Sequence, residues 1–560
     1  MKRLIIIGSA VVSLWSCNKL NENLDSQLNN PNAPTTDAAD VDLYLGNLEL
    51  NFNGFYQNAS DLSDPLVRQE IMYGPTYFNA YGPSSYDGLW STAYTSIFKT
   101  ANTMIPLAES KNQFIHSGIG KTLKAYTMIT MVDLFGDVPY SEANLGVANT
   151  NPKVDKGRVV YDSALALLDA AIVDFGKTAA SPPANDLFYG GSKTKWATFA
   201  KTLKLKAYVQ TRLVDAANVT AKISALLTEN DLINSSSQDF VFSYSTKNQS
   251  PDSRFGHYVG NYGTDNGAGD YIGNHFLWML TQEKGLVDPR TRYYIYRQID
   301  DINSDPRVPD QTTLQFALAC FYRTDPYPAG VPYCIVGTGY WGRDHGNNEG
   351  IGADGGLRST WGLYPGAGEF DADQNKAVGQ SASRMKGAKG AGIAPIWLSS
   401  YTYFLKAEAA LMLGTAGDPQ ALMVSGINES FNKVNGFATT VGYTIPTSDT
   451  TKLITTFKQK NYVNKVVSLY TAAATNDAKL NVIEKEYYLS AWGNGIEPYN
   501  NYRRTGKPDN FQRTLLPNEG SFIRSFFYPN AYVNFNKNAV QKTTVTTQVF
   551  WDSNPADFIH

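Results

Sequence analysis

The segment from Tyr340 to Phe370 gathers residue types that could form a ligand site within a glycine-rich stretch. It shows neither a helical period nor strand alternation, and it holds two Trp, two Tyr, two Arg and one His. Aromatic rings offer flat apolar faces, while arginine, aspartate and histidine make directed hydrogen bonds. These residue types are compatible with three kinds of site: a platform for a ligand, a catalytic cleft or a metal-binding loop.

The spacing within this segment favours neither a metal site nor a catalytic one. Four residues carry oxygen donors suited to calcium, but they do not alternate as in an EF-hand loop: Asp344, Asn347, Glu349 and Asp354. Acid–base hydrolysis would need two facing carboxylates, and a pair such as Glu349 and Asp371 stays open. No nucleophile elbow, HExxH motif or Ser/His/Asp arrangement occurs in the sequence. We therefore expect no metal, no cofactor and no enzymatic activity.

The N-terminus has the pattern of a secreted protein. A basic start at Lys2 and Arg3 precedes an apolar run from Leu4 to Leu14. Because this run is shorter than the roughly 20 apolar residues that span a bilayer, it indicates a secretory signal peptide. We expect residues 1–16 to be removed.

The signal ends in Leu-Trp-Ser-Cys at residues 14–17, which resembles a lipobox. By that resemblance Cys17 becomes the first residue of the mature protein and carries lipid chains, which together anchor a protein stably. An ordinary signal peptide followed by a chance cysteine is the alternative. Residues 17–40 are polar and rich in Asn and Pro, which predicts a flexible tether.

The composition indicates a large folded body with no electrostatic basis for binding nucleic acid. The 560 residues are 42% hydrophobic and 18% charged, with a formal net charge of −3, and no basic stripe occurs. The aromatic content of 13%, with 35 Tyr, suits contact surfaces in water.

Two further cysteines, Cys320 and Cys334, remain once Cys17 is set aside. In an oxidising compartment they could close a disulfide bond, and two free thiols are the equal alternative. The sequence gives no Cα separation with which to decide between these states.

Apolar residues recur at every third or fourth position in several segments, which predicts amphipathic helices. These segments occur as neighbouring pairs: 86–109 with 119–135, 160–176 with 194–214, and 395–414 with 418–434. Helix pairs that stack by their apolar faces are typical of tetratricopeptide-like arrays. Residues from about 231 to 390 carry little helical signal and are rich in Gly, Pro, Asp, Asn and Tyr, which indicates a functional loop-rich region.

Three local patterns resemble one protein family. They are FGDVPY at residues 135–140, VIEKEYYLSAWGNGIEPYNNYRRTGKP from Val482, and RSFFYPNAYVNFN from Arg524. Together with the Cys17 signal, their order resembles the SusD/RagB family of nutrient-binding outer-membrane lipoproteins. The resemblance extends from the signal to the C-terminus.

The arginine pair in the second pattern is expected to have a structural role. Arg503 and Arg504 could each bind a carboxylate through two parallel hydrogen bonds, and Glu497 and Asp137 are the candidate partners. We predict that these ion pairs fix a turn of the chain, and a binding role for the arginine pair is the alternative.

The resemblance implies a mainly α fold, in which tetratricopeptide-like helix pairs form a right-handed superhelical scaffold with an irregular, loop-rich subdomain inserted. Within a domain at 41–560, we expect the scaffold at about residues 41–230 and 391–560, and the ligand-facing subdomain at about 231–390.

The resemblance also implies a function at the cell surface. A lipoprotein anchored in the outer membrane would capture an oligosaccharide, with a peptide as the second choice, and deliver it to a SusC-like TonB-dependent transporter. A glycan-degrading hydrolase and a scaffold that binds only proteins are the alternatives.

A sugar ring presents an apolar face and a rim of hydroxyl groups, which aromatic rings and polar side chains recognise. Because the family's aromatic contacts lie in variable loops, the candidate residues rest on chemistry and position alone. The first candidates are Trp341, Arg343, Asp344, His345, Trp361 and Tyr364, and further candidates are Tyr258, Tyr262 and Tyr271.

Trp341 is the residue that we expect to form an exposed platform. Each of the others has a structural alternative. Trp361 could fill the core, Arg343 and Asp344 could form an ion pair within a turn, and His345 could be a structural histidine.

Overall fold

Helices dominate the structure, a computed structural model that describes residues 40–560 apart from 73, 75, 263–269, 299–339, 348–357, 372–386, 446–452 and 515–519. The helices before the irregular region are α1 (Val41–Ser63), α2 (Tyr77–Ala80), α3 (Asp87–Ser91), α4 (Lys99–Ser110), α5 (Phe114–Phe135), α6 (Gly157–Gly176), α7 (Lys193–Gln210) and α8 (Arg212–Glu229). A π-helix at Thr92–Phe98 connects α3 to α4.

The irregular region contains short elements, which are β1 (Phe240–Ser243), α9 (Gly256–Tyr262), α10 (Asn274–Thr281), α11 (Thr291–Tyr294), β2 (Ile295–Tyr296), β3 (Thr360–Trp361) and β4 (Ile393–Trp397). The second helical part contains α12 (Ser399–Leu413), α13 (Pro419–Thr440), α14 (Thr456–Ala472), α15 (Asn476–Ser490), α16 (Ile496–Thr505) and α17 (Asn530–Val533). Among the described residues, no helix has both the length and the apolar character needed to cross a bilayer.

Side-chain caps begin several of these helices. In each case a side-chain oxygen accepts a hydrogen bond from an N–H group of the first turn, and the capping residues are Asp40, Ser192, Asp418, Thr455 and Thr475. Such caps satisfy donors that have no partner inside the helix. The polar residues between the apolar segments therefore set where the helices start.

Helix pairs form the scaffold, as the apolar period predicted. Helix α5 packs along α4 and α6, α6 packs on α7, and α12 packs on α13 and α15. The prediction of a mainly α fold built from tetratricopeptide-like pairs is confirmed. The apolar period did not predict α1 or α14. The predicted helical segment 194–214 also extends too far, because α7 ends at Gln210. The proposed domain boundaries stay a prediction.

Two small antiparallel sheets organise the irregular region. Strand β1 pairs with β4, with Phe240 opposite Trp397, and β2 pairs with β3, with Ile295 opposite Trp361. Because β4 leads directly into α12, the first sheet ties this region to the second helical part.

The arginine pair has the predicted structural role with different partners. Arg504 binds Glu408 in α12 through two hydrogen bonds of 2.8 and 2.6 Å. Arg503 instead donates to the carbonyl group of Arg524 at 2.7 Å. The predicted partners were therefore wrong, because Glu497 is engaged by Lys206 at 2.5 Å and Asp137 by Lys156 at 2.9 Å.

Several predictions concern residues outside the described part of the chain. The signal peptide, the lipidated Cys17, nearly all of the tether, and the Cys320 and Cys334 pair stay predictions. The same applies to Glu349 and Asp354.

Glu408 lies between two arginines and beside a second buried glutamate. Arg212 also donates to Glu408, at 2.6 Å. Burial alone would raise the pKa of Glu408, but the charges of Arg504 and Arg212 lower it to about 2. For Glu484, burial and then the charge of Glu408 raise the pKa well above its usual value, so this side chain stays a neutral acid.

We expect Glu408→Gln to lower the free energy of unfolding by about 3–5 kcal/mol, because two buried guanidinium groups lose their counter-charge. Glu484→Gln is the matched control and should change it by about 1 kcal/mol at most, since glutamine mimics the neutral acid. Urea denaturation at neutral pH measures both values. Equal losses in the two variants would contradict the assignment of charge.

Candidate functional site

The aromatic residues predicted to bind a ligand are buried. Trp341, Trp361 and Tyr364 have 2%, 1% and 1% of their surface exposed, respectively. The guanidinium group of Arg358 lies 4.0 Å from the ring centre of Trp341. The prediction of an exposed platform at Trp341 is therefore wrong, because the ring is covered by a stacked cation.

Trp361 and Tyr364 pack into the interface between the irregular region and the helices. Trp361 lies between His257 and Trp492, with 4.3 Å between ring centres on each side. The backbone carbonyl of Tyr364 accepts a hydrogen bond from Trp492 at 2.9 Å. Trp361 therefore fills the core, as its structural alternative predicted.

The polar candidates of the same segment are also buried, and they make internal contacts. Arg343 lies over the ring of Tyr271 at 4.7 Å, and Asp344 accepts hydrogen bonds from Asn274 and Gln512 at 3.1 and 3.0 Å. Burial lowers the pKa of His345 well below its usual value, so this histidine is neutral. These contacts fit structural roles.

Tyr258 and Tyr262 stack on each other at 5.4 Å on one face of α9, and Tyr262 donates to the carbonyl of Trp361. The structure therefore brings Tyr258, Tyr262 and Trp361 together, while both tyrosines are buried. Ligand contact by any of the candidate residues stays a prediction.

A cleft of about 270 Å³ opens at a different place, and none of the predicted residues lines it. We call it the aromatic cleft, and its lining residues are Trp90, Ser91, Tyr94, Thr95, Pro139, Ala143, Asn144, Thr150, Pro152, Ala531, Tyr532, Phe535 and Asn536. Its volume is near the lower end of ligand pockets, which hold about 300–1,000 Å³.

The first wall of the aromatic cleft is the π-helix that follows α3. Such i→i+5 segments are rare and are frequent at functional sites. This one presents Tyr94 and Thr95 to the cleft one turn after Trp90, and the rings of Trp90 and Tyr94 lie 4.9 Å apart.

The second wall is the turn after α5, where the FGDVPY sequence lies. Gly136 ends α5 with a φ of 77°, which a residue with a side chain rarely adopts. The Tyr94 hydroxyl then donates to the carbonyl of Pro139 at 2.7 Å. The glycine turn therefore places Pro139 beside the π-helix.

The third wall comes from α17 and the residues after it. The Asp87 carboxylate in α3 accepts a hydrogen bond from the N–H of Ala531 at 2.8 Å, which places α17 beside Trp90. The amide of Asn536 donates to the carbonyl of Pro152 at 2.8 Å. The C-terminal segment is thus attached to both other walls.

The rings of the cleft differ in exposure. Trp90 and Tyr532 are buried in its floor with ring centres 4.8 Å apart, whereas Phe535 is 82% exposed. Burial raises the pKa of Tyr532 to about 12 and that of Tyr94 well above its usual value. Both hydroxyl groups are therefore uncharged at physiological pH.

The described residues that line the cleft are uncharged. Its lining contains no Asp, Glu, Lys, Arg or His, and its polar groups are amides and hydroxyls. An exposed ring beside amides and hydroxyls suits an uncharged ligand with a flat apolar face and a polar rim.

Sequence reasoning missed this site for identifiable reasons. It assigned Trp90 and Tyr94 to the apolar stripe of a helix and used Tyr532 and Phe535 only as part of a family pattern. The available signal was the spacing of the aromatic residues, which is i, i+4 in the first pair and i, i+3 in the second.

Comparisons with known proteins give two family matches. The family described as "Starch-binding associating with outer membrane" matches residues 28–306, and the family described as "Susd and RagB outer membrane lipoprotein" matches residues 359–551. A search among curated protein sequences finds no match.

Solved structures share the fold at low sequence identity. A chitin-binding protein is 20% identical with a TM-score of 0.67, over 92% of this chain and 99% of that one. A SusD/RagB family protein from Bacteroides thetaiotaomicron is 18% identical with a TM-score of 0.65, over 92% and 100%. A chitin-binding SusD homologue from Flavobacterium johnsoniae is 18% identical with a TM-score of 0.57, over 92% and 99%.

The different exposure of the cleft rings predicts effects on stability of different size. We expect Trp90→Ala to lower the free energy of unfolding by about 3–5 kcal/mol, because it leaves a cavity under the cleft. Phe535→Ala should change it by no more than about 0.5 kcal/mol, because the ring is already in water. Thermal and urea unfolding measure both effects. A large loss in Phe535→Ala would show that this ring serves the fold.

Proposed function

The chain belongs to the SusD/RagB family of outer-membrane lipoproteins, and we propose that it captures an oligosaccharide at the cell surface and delivers it to a SusC-like TonB-dependent transporter. The observation that carries the proposal is the aromatic cleft, where the exposed ring of Phe535 stands among amide and hydroxyl groups. A sugar ring stacks its apolar face on such a ring while its hydroxyl groups reach the polar side chains.

The uncharged lining supports a neutral oligosaccharide over a peptide. A peptide carries terminal charges and frequently charged side chains, and burying a charge without a partner is costly. The lining amides of Asn144 and Asn536 can instead donate and accept hydrogen bonds with sugar hydroxyl or acetamido groups. The chitin-binding homologues make a chitin oligosaccharide the first probe.

The proposed role is binding without turnover. Hydrolysis of a glycosidic bond needs two carboxyl groups beside the bond, and the lining of the aromatic cleft has none. Asp371, the described member of the carboxylate pair considered from the sequence, is buried and binds Arg297 at 2.7 Å. This ion pair supports a structural role for Asp371.

We expect the protein without its lipid to bind a chitin or malto-oligosaccharide with micromolar affinity, which corresponds to about 8 kcal/mol and permits release. Loss of the stacking ring in Phe535→Ala should weaken binding roughly 2- to 10-fold, equivalent to about 0.5–1.5 kcal/mol. Isothermal titration calorimetry measures both.

Phe457→Ala is the matched control, because Phe457 lies in α14 away from the cleft and is 73% exposed. Unchanged affinity in Phe535→Ala would place the ligand elsewhere. Release of shorter sugars by the purified protein would contradict the proposal itself.

The membrane anchor has its own test. We expect the full chain, expressed in a bacterium with its transporter, to fractionate with the outer membrane, to incorporate labelled palmitate and to co-purify with a TonB-dependent barrel. Cys17→Ser should abolish the label and release the protein, since the lipid chains supply the membrane affinity. Cys334→Ser is the control and should keep both properties. Retention of the label in Cys17→Ser would contradict the lipobox interpretation.

A further inference from the structure

His257 lies among carboxylate groups where α1 and the chain after it meet the irregular region. Its Nδ1 atom is 2.7 Å from Oδ2 of Asp270 and 4.0 Å from Oε1 of Glu70. One ligand atom from each of Glu70, His257 and Asp270 lies within 4.8 Å of the other two. One nitrogen and two oxygen donors therefore lie close enough together to share one ion.

Each of these three side chains is oriented by a further group. His257 Nε2 lies 3.2 Å from Oδ1 of Asp61, and the Trp361 indole donates to Glu70 at 2.9 Å. The amide of Asn261 donates to Asp270 at 3.0 Å. When Nε2 carries the proton and donates it to Asp61, Nδ1 presents its lone pair toward Glu70 and Asp270. Histidines that bind metals almost always donate their other N–H in this way, and their partner carboxylates are hydrogen-bonded too.

Four carboxyl groups gather around His257. Asp61, Asp64, Glu70 and Asp270 surround a single imidazole, and in the described part of the chain no lysine or arginine forms an ion pair with any of them. Asp64 is only 3% exposed, and its Oδ1 atom has no hydrogen-bond partner among the described residues. The side chains of Asp61 and Asp270 are partly exposed, so a divalent ion could reach this place from solvent and would add positive charge beside the carboxyl groups.

We propose that Glu70, His257 and Asp270 bind a divalent transition-metal ion of the zinc or manganese type. The donor set of one imidazole and two carboxylates suits these ions, whereas calcium takes oxygen ligands. Asp61 is the outer partner that fixes the imidazole tautomer. This site shares no residue with the aromatic cleft or with the segment 344–354, for which the sequence predicted no metal.

The ion would join distant parts of the chain. Asp61 lies in α1, His257 lies in α9, and Glu70 and Ile272 form an isolated antiparallel bridge. The His257 ring also stacks on Trp361, with an interplanar angle of 18°. The metal would therefore fasten the irregular region to the helical scaffold, independently of ligand capture.

The test uses the full mature chain, freed of its purification tag and treated with a chelator that is then removed. We expect calorimetry with Zn²⁺ and with Mn²⁺ to show one ion bound per chain for at least one of these metals, and elemental analysis to confirm the stoichiometry. Asp270→Asn and His257→Gln should each weaken binding at least 100-fold. Asp61→Asn should weaken it about 10- to 100-fold, as expected for an outer partner.

His116→Gln is the matched control, because His116 is a buried histidine that lies 3.0 Å from Asp42 elsewhere in the fold. It should leave the metal affinity unchanged. If His257→Gln fails to fold, Asp270→Asn and the melting temperature of the natural protein with and without Zn²⁺ still decide. An imidazolium held by Asp61 and Asp270 without metal would give no stoichiometric binding, and that result would overturn the proposal. Binding of equal strength in His257→Gln and the natural protein would overturn it as well.

Discussion

The carboxylate of Glu408 lies between the guanidinium groups of Arg504 and Arg212, and this contact joins helices that are far apart in the chain. Arg212 begins α8, Glu408 lies in α12 and Arg504 lies near the end of α16. The irregular region therefore lies in the chain between α8 and α12. Three charged groups leave water at this point, which is tolerable only when every charge meets its partner. These ion pairs therefore fix how α8 and α16 sit against α12.

The same junction positions the chain that builds the aromatic cleft. Arg503, next to Arg504, holds the carbonyl of Arg524, and Arg524 binds Asp552 through two hydrogen bonds. These contacts direct the segment after α16 back across α3 and α5, where Tyr532 packs on Trp90. A cleft whose walls are held in this way would lose little conformational entropy on binding the proposed ligand, so modest contacts would suffice for useful affinity. The buried charges of the scaffold thus help to fix the walls of the cleft.

The sequence predicts the helix pairs well and the site poorly, and one physical cause explains both results. Helices α5, α6, α12 and α13 each bury one face, so their apolar residues recur with the helical period. The exposure of a single aromatic ring produces no periodic pattern in the sequence. Trp341 looks like a platform in sequence, but Arg358 covers it, while Phe535 stands exposed in a segment that reads as a structural motif. The positions of Glu70, His257 and Asp270 in the sequence also match no metal-binding motif, because each residue comes from a different segment.

The abundance of aromatic residues therefore has two meanings in this fold. Among the described residues of the irregular region the helices and strands are short, and stacked rings contribute much of the core, as His257, Trp361 and Trp492 show. Burial of such rings supplies the apolar area that holds short segments in place. At the aromatic cleft the helices already provide that stability, so the Phe535 ring is not needed by the core and remains in water. Exposure alone does not single out Phe535, since the ring of Phe457 in α14 is also exposed. What distinguishes Phe535 is its position beside the amide and hydroxyl groups of the aromatic cleft, and this combination is the basis of the proposed ligand site.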